Sequence, residues 1–145
     1  MPKNTTLALE GKVQKGYELY VMRHGLAVTR GSVRFSDDAQ RPLVPEGKEK
    51  MREIGEGLKR MGLEVDWIVT SPLVRAAETA GIIAESLASS VPVEVCDAMR
   101  PGGSPEDLLA FLAKRPNCRR VLVVGHEPDL SELAARLIVP RRRAG

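Results

Sequence analysis

Short apolar segments recur along the chain, and stretches with helical spacing separate them. Residues 17–22 form a near-continuous apolar run, which is typical of a strand covered on both faces of a sheet. Residues 67–70 and 121–124 repeat this pattern. Residues 91–95 suit an edge strand, because Pro92 cannot donate a backbone hydrogen bond to a neighbour. The pattern therefore predicts four strands.

Helical segments fill the intervals between these strands. Residues 46–61 carry apolar side chains at helical spacing and Gly62 ends the pattern; these side chains are Met51, Ile54, Leu58 and Met61. Residues 75–87 form an alanine-rich helix, Ser104 is a suitable N-cap for a helix that continues to residue 113, and residues 130–138 form the last helix. Because strands alternate with helices, we predict a three-layer α/β/α sandwich around a mainly parallel sheet.

A chain of 145 residues is long enough for one domain with a substantial core. Residues 1–16 are polar and interrupted by Gly11 and Gly16, so we expect a flexible N-terminal extension followed by a single domain over residues 17–145. Residues 25–45 show little periodicity and predict a long loop, and long loops in compact domains are often functional.

Composition narrows the class of protein and of ligand. The net charge of +3 fits an anionic ligand but does not require nucleic acid. No apolar run is long enough to span a membrane, and the N-terminal residues do not resemble a signal peptide, so a reducing cytoplasm is expected. The two cysteines, Cys96 and Cys118, lack metal-binding spacing, so neither a zinc site nor any other cofactor is expected.

Distinctive chemistry follows three of the predicted strands, at the point where each strand ends. The segments are Arg23-His24-Gly25, then Ser71-Pro72 with Arg75 shortly after, and Gly125-His126-Glu127. The carboxyl ends of parallel strands lie at the same edge of a sheet, where ligands bind in open α/β proteins. We therefore expect both histidines of the chain and two arginines to converge on one site.

Such a basic cluster suits a phosphoryl group. Arginine offers a planar fork of donors to phosphate oxygens, and neutral histidine is a nucleophile near pH 7. Glycine beside each histidine, as at Gly25, permits close approach of a ligand. Taken singly, a histidine at a strand end is more often structural, and Arg41 would be an ordinary loop charge. Because a histidine beside a glycine follows two of the strands, a functional role for these histidines is favoured.

These motifs resemble those of the histidine phosphatase superfamily, with its phosphoglycerate-mutase-like fold, and especially its short, SixA-type phosphohistidine phosphatases. The matching segments are Arg23-His24-Gly25, Arg41-Pro42-Leu43 with Glu46-Gly47, Ser71-Pro72-Leu73-Val74-Arg75-Ala76 with Thr79, and Val124-Gly125-His126. The resemblance implies that His24 is the nucleophile and forms a phosphohistidine intermediate. It also implies that Arg23, Arg75 and His126 bind the phosphoryl group, with Arg41 as a further contact from the loop.

The proton donor is less well defined by sequence. Many members of this superfamily carry a glutamate general acid between the second and third motifs, where this chain offers only Asp97. Glu127 is the other candidate, although a carboxylate there equally suits the start of a helix. A phosphohistidine substrate needs less help from an acid, because its leaving imidazole accepts a proton readily.

The expected activity is metal-independent hydrolysis of phosphohistidine on proteins. Two alternatives stay open: a broad phosphomonoesterase for small metabolites, and a phosphate-binding module without turnover. The expected partner is a phosphorylated protein or a small phosphorylated substrate, with no nucleic acid and no membrane.

Overall fold

A computed structural model describes residues 7–9, 12–14, 16–88 and 90–138, with the first two segments described in their backbone pairing only. These two segments, β1 (Leu7–Leu9) and β2 (Lys12–Gln14), form an antiparallel pair. The main sheet comprises β3 (Glu18–Arg23), β4 (Trp67–Thr70), β5 (Val93–Val95) and β6 (Arg120–Gly125). Its strands lie in the order β3-β6-β4-β5 and all run parallel, as the alternating pattern predicts.

Helices cover both faces of this sheet, which confirms the predicted three-layer sandwich. The helices are α1 (Pro45–Arg60), α2 (Val74–Leu87), α3 (Pro105–Ala113) and α4 (Asp129–Ile138). Side chains of β6 alternate between the faces, as they must in a strand. Val121 and Val123 pack with α3 and α4, while Leu122 and Val124 pack with α1 and α2. The start of α3 is also as predicted, since Ser104 Oγ accepts a hydrogen bond from the backbone of Asp107.

The inner face of α1 differs from the predicted one. Met51 is buried, but Ile54 is 41% exposed and Met61 is 76% exposed. Gly47 and Gly55 complete the buried face. At Gly55 a Cβ would lie 2.5 Å from Ser86 Cβ, so the close approach of α1 to α2 requires glycine there. Apolar periodicity does not register a helix face built partly from glycine.

The first strand of the main sheet, β3, is less covered than its apolar sequence predicts. Within the described residues β3 pairs with β6 and lies at the sheet edge, and Val21 is 43% exposed. The prediction of a strand covered on both faces is therefore wrong for β3. An apolar run identifies a strand, but its place in the sheet depends on contacts distant in sequence.

Several expectations fall on the ends of the chain. Part of the predicted N-terminal extension forms the β1–β2 pair, and β1 lies next to α3. Residues 1–6, 10, 11, 15, 89 and 139–145 lie outside the described residues. Cys96 and Cys118 are not joined to each other. Within the described ranges, every helix is too short or too polar to cross a membrane.

Candidate active site

The two histidines meet because their strands are neighbours in register. Arg23 at the end of β3 lies opposite Gly125 at the end of β6, so the next residue of each strand turns into the same space. The ring centroids of His24 and His126 are 5.1 Å apart. The backbone amide of His24 donates to the carbonyl of Gly125 over 3.2 Å, which holds the two strand ends together.

The contacts of His24 define which ring nitrogen is free to react. Its Nδ1 lies 2.7 Å from the carbonyl oxygen of Gly25, an acceptor, so Nδ1 carries the proton. Its Nε2 accepts from Nε of Arg75 over 3.3 Å and therefore holds the lone pair. Burial lowers the pKa of His24, and the positive charges of Arg75 and Arg23 lower it further against the opposing Gly25 contact. The ring is thus neutral at pH 7.

His126 is held by a serine. Ser71 Oγ lies 2.8 Å from His126 Nε2 and accepts a hydrogen bond from the backbone amide of Leu73 over 3.2 Å. We assign the hydroxyl hydrogen to Nε2, because that atom is its acceptor among the hydrogen bonds of the described residues. The ring proton then lies on Nδ1, which is buried and has no hydrogen-bond partner in the described part of the chain. Nδ1–H is thus the ring donor of His126 that the described residues leave without a partner.

The electrostatic setting keeps His126 neutral. Burial, followed by electrostatic interactions with His24 and Arg75, lowers the pKa of His126 to about 4. With Ser71 at Nε2, neutral His126 keeps its ring proton on Nδ1. The imidazole therefore carries an N–H donor without a full charge, and the arginines supply the charge of the site.

Arg75 lies in the first turn of α2 and is buried. Its Nη1 donates to the backbone carbonyl of Asp38 over 2.8 Å, and its Nη2 donates to Asp38 Oδ2 over 3.1 Å. Thr79 ties this turn to the His24-Gly25 segment, because its Oγ1 donates to the Arg75 carbonyl and accepts from the Gly25 amide over 3.0 Å. The arginine is fixed relative to His24 from both sides.

Arg41 lines the same cavity, but its donors mostly engage the protein. Its Nε and Nη2 contact Asp38 Oδ1 at 2.9 and 2.7 Å, and its Nη1 donates to the carbonyl of Val28. Arg41 therefore holds two parts of the 25–45 loop together and also lines the cavity.

Asp38 is the residue that the sequence pattern missed. Partial burial would raise its pKa, but hydrogen bonds from Arg41 and Arg75 outweigh burial and hold the pKa below its ordinary value. Asp38 is therefore ionised at neutral pH. The one local signal is its spacing three residues before Arg41, whereas its contact with Arg75 spans 37 residues of sequence.

The cavity at this sheet edge has a volume of about 530 Å³. Four arginines line it, namely Arg23, Arg30, Arg41 and Arg75, against two acids, Asp38 and Glu127. His24, His126 and Gly25 also line it. The net positive charge and the convergent donors suit a tetrahedral anion.

The two acids expected as proton donors are placed differently. Glu127 lines the cavity, but its carboxylate accepts from the backbone amide of Ser131 at 2.9 Å and from the hydroxyl of the same residue. Asp97 pairs with Arg100 with its side chain 86% exposed, and it does not line the cavity. The geometric basis for Asp97 as a donor is therefore absent.

Among the described residues, no three His, Cys, Asp or Glu side chains lie close enough together to hold a metal ion.

Two histidines and an arginine cluster lie at the carboxyl edge of the parallel sheet, and the fold is that of the phosphoglycerate-mutase-like class to which its structural neighbours belong. The chain belongs to the histidine phosphatase superfamily, branch 1, whose family model matches residues 19–101, and it is a phosphatase. The match includes Arg23, His24, Arg41 and Arg75 and stops before His126.

Comparisons with individual proteins agree. The chain is 38% identical over 120 residues to an uncharacterised protein of Picosynechococcus sp., covering 81% of this chain and 70% of that protein. It is 29% identical over 122 residues to the phosphohistidine phosphatase SixA of Escherichia coli K12, covering 83% and 73% respectively. A solved structure of the protein histidine phosphatase SixA complexed with tungstate matches with a TM-score of 0.71 at 28% identity, covering 81% of this chain and 74% of that one.

Proposed function

We propose that this phosphatase hydrolyses phosphohistidine on phosphorylated proteins by covalent transfer of the phosphoryl group to His24. One observation carries the proposal. His24 Nε2 holds a lone pair inside the arginine-lined cavity, while Nδ1 is committed to the Gly25 carbonyl. Nucleophilic attack therefore has a defined atom, and the charge of the transferred group has donors around it.

In the first step, His24 Nε2 forms a bond to phosphorus as the bond from phosphorus to the substrate imidazole breaks. The electron pair of that bond stays on the leaving imidazole, which takes up a proton. Arg23, Arg75 and Nδ1–H of His126 stabilise the phosphoryl oxygens. As the lone pair of His24 Nε2 forms the bond to phosphorus, the Nε–H of Arg75 donates to a phosphoryl oxygen instead. A Cβ at Gly25 would lie 2.8 Å from Met51 Cγ, so packing against α1 accounts for glycine at this position.

In the second step, water attacks the phosphorus of phosphorylated His24 and the bond to Nε2 breaks. The electron pair returns to Nε2, and inorganic phosphate leaves with the oxygen of the water. The water protons pass to the phosphate and the solvent. No step in this sequence requires a metal ion, because the arginines supply the charge.

The carboxylates favour a phosphohistidine substrate over a phosphate ester. Asp38 is ionised between two arginines, and the carboxylate of Glu127 binds Ser131, so neither is poised to protonate an alkoxide. An imidazole leaving group accepts a proton from solvent readily. The resemblance to SixA, a phosphohistidine phosphatase, supports the same substrate class. We place the reaction in a reducing cytoplasm, consistent with two free cysteines.

The proposal is tested with a substrate panel on wild type and His24→Ala. The panel comprises a phosphohistidine peptide, a small phosphoramidate and an alkyl phosphate, each with and without a metal chelator. Wild type should hydrolyse the peptide fastest, unaffected by chelator. Rapid quenching of wild type with ³²P-labelled substrate should trap an acid-labile, base-stable label on the protein.

The His24→Ala variant should lose activity by about 10⁴-fold or more and trap no label, because nothing replaces the nucleophile. Turnover and labelling that persist in this variant would show that His24 is not the attacking residue. The second candidate, a phosphomonoesterase for small metabolites, rests on Glu127 at the cavity wall. Faster hydrolysis of the alkyl phosphate than of the phosphoramidate would favour that candidate.

A further inference from the structure

Asp38 stands out because it contacts both of the buried arginines of the cavity. Its carboxylate binds Arg41 through Oδ1 and Arg75 through Oδ2, and its backbone carbonyl takes a second hydrogen bond from Arg75. Arg30 approaches the same carboxylate at 3.6 Å but is largely exposed. No family motif quoted above includes Asp38, and the reaction steps proposed above do not use it.

We propose that Asp38 is a positioning residue, which sets the plane of the Arg75 guanidinium so that its Nε–H edge faces His24. This inference rests on the proposed function, because it concerns the same transfer. The two contacts from Asp38 hold Nη1 and Nη2 at 2.8 and 3.1 Å. A planar group fixed at both of these atoms has its third nitrogen directed as well, and Nε lies 3.3 Å from His24 Nε2.

Arg41 completes this arrangement from the other side. It grips Asp38 Oδ1 with two nitrogens, and its third nitrogen holds the carbonyl of Val28. The long loop is thereby attached to α2 through the chain of contacts from Val28 to Arg41, Asp38 and Arg75. Two cationic neighbours also compensate the charge of a carboxylate that would otherwise repel a phosphate.

Asp38 also has an electrostatic effect that opposes its geometric one. Its negative charge weakens the attraction of the cavity for any anion, while its contacts orient the arginine that serves the transition state. Removing the charge and keeping the shape should therefore strengthen phosphate binding and slow turnover. A merely structural residue would not separate these two effects, because unfolding lowers both.

The experiment compares Asp38→Asn with Asp37→Asn. Asp37 is the neighbouring acid, and its Oδ1 accepts from the Ala39 amide at 3.1 Å, a contact that asparagine can keep. The Asp38→Asn variant should lower kcat about 10–100-fold, since a small misplacement in a site has effects of this size. Its inhibition constant for inorganic phosphate should fall or stay unchanged. Asp37→Asn should change both quantities less than about twofold, as expected for an exposed position.

Two other readouts separate positioning from loss of fold or of function. Arg41→Lys keeps the charge but loses the pair of contacts to Asp38 Oδ1, so it should also lower kcat. The double variant Asp38→Asn with Arg41→Lys should lose little more activity than Asp38→Asn alone. The Nε–H signal of Arg75 in NMR spectra should be sharp in wild type, broadened in Asp38→Asn and unchanged in Asp37→Asn. This signal reports on orientation even if wild type hydrolyses no substrate, in which case the proposed function fails alone.

Three results would overturn the inference. If Asp38→Asn turns over at the wild-type rate and binds phosphate more tightly, Asp38 is an internal anion that competes with phosphate and does not position Arg75. A parallel loss of turnover, phosphate binding and thermal stability would make it structural. An unchanged Arg75 signal in Asp38→Asn would show that other contacts orient the guanidinium.

Discussion

Ser71 and His126 form a buried hydrogen bond between Oγ and Nε2 at 2.8 Å, although they are 55 residues apart in sequence. The serine follows β4 and the histidine follows β6, and these strands are neighbours in the sheet. The bond commits one ring nitrogen to the protein and leaves Nδ1–H without a partner in the described part of the chain. Sheet topology thereby determines which ring nitrogen of His126 is left for the phosphoryl contact that we propose.

Ser71→Ala should lower kcat about 10-fold or more, in the range seen when the partner of a functional histidine is removed. Without the hydroxyl, the ring proton is free to move to Nε2, and Nδ1 then presents a lone pair that repels phosphoryl oxygens. Steady-state kinetics on the phosphohistidine peptide would measure the change. Ser86→Ala is the matched control, because Ser86 Oγ bonds the Ile82 carbonyl within α2, away from the cavity. Equal rates in both variants would contradict the assigned tautomer.

The histidines should both titrate below their ordinary value near pH 6.5. Burial is the largest cause for each, and the pKa of His126 is lowered to about 4. The chain contains only two histidines, so His126→Gln assigns their NMR resonances without ambiguity. A resonance of His126 that moves near pH 6.5 would mean that the ring is hydrated rather than buried.

The same shift makes the stability of the fold depend on pH. Because the pKa of His126 is lower in the folded than in the unfolded state, the unfolded chain takes up its proton first as the pH falls. The contribution of neutral His126 to the free energy of unfolding is complete above about pH 6.5 and is lost as the pH falls towards 4. Its size is on the order of 3 kcal/mol. Urea unfolding at pH 7.5 and 5.0 would show a fall in the free energy of unfolding, smaller in His126→Gln.

The chemistry at the strand ends could be predicted because it depends on local sequence and one general rule. An apolar strand that stops on Arg-His-Gly or Gly-His places its functional groups at the carboxyl edge, wherever the strand lies in the sheet. The meeting of His24 and His126 needed only that β3 and β6 be parallel and close, and they are adjacent.

The features that sequence did not predict depend on contacts between distant segments. Asp38 lies in a loop without periodicity. Its place in the site depends on its contact with Arg75, which lies on α2. The carboxylate of Glu127 accepts a hydrogen bond from the Ser131 amide at the start of α4. The local sequence is compatible with this contact but does not determine it. The exposure of Val21 follows from the place of β3 at the sheet edge.

Gly47→Ala should destabilise the fold by about 1–3 kcal/mol, the usual range for overpacking. A Cβ at Gly47 would overlap the carbonyl oxygen of Leu26 and lie 3.1 Å from its carbonyl carbon, and this backbone cannot give way as a flexible side chain can. Leu26 directly follows the His24-Gly25 pair, so turnover should fall as well. The control is Gly57→Ala in the same helix, where the nearest atom is 4.0 Å away. That variant should be more stable by about 0.5–1 kcal/mol, as measured by thermal melting.

Glu127→Gln should slow hydrolysis of the phosphohistidine peptide less than about threefold, because the leaving imidazole does not depend on a protein acid. The carboxylate of Glu127 binds Ser131 at the start of α4, and a glutamine oxygen can still accept one of these hydrogen bonds. Asp97→Asn is the control, because Asp97 lies on the exposed side of the 3₁₀ turn at Asp97–Met99. It should change neither the rate on the phosphohistidine peptide nor the rate on an alkyl phosphate. If Glu127→Gln instead lowers the rate on an alkyl phosphate by 100-fold or more, in the range of a lost general acid, Glu127 donates the proton to an alkoxide. A wild-type enzyme that also prefers that substrate would then be a phosphomonoesterase, and the phosphohistidine assignment would be wrong.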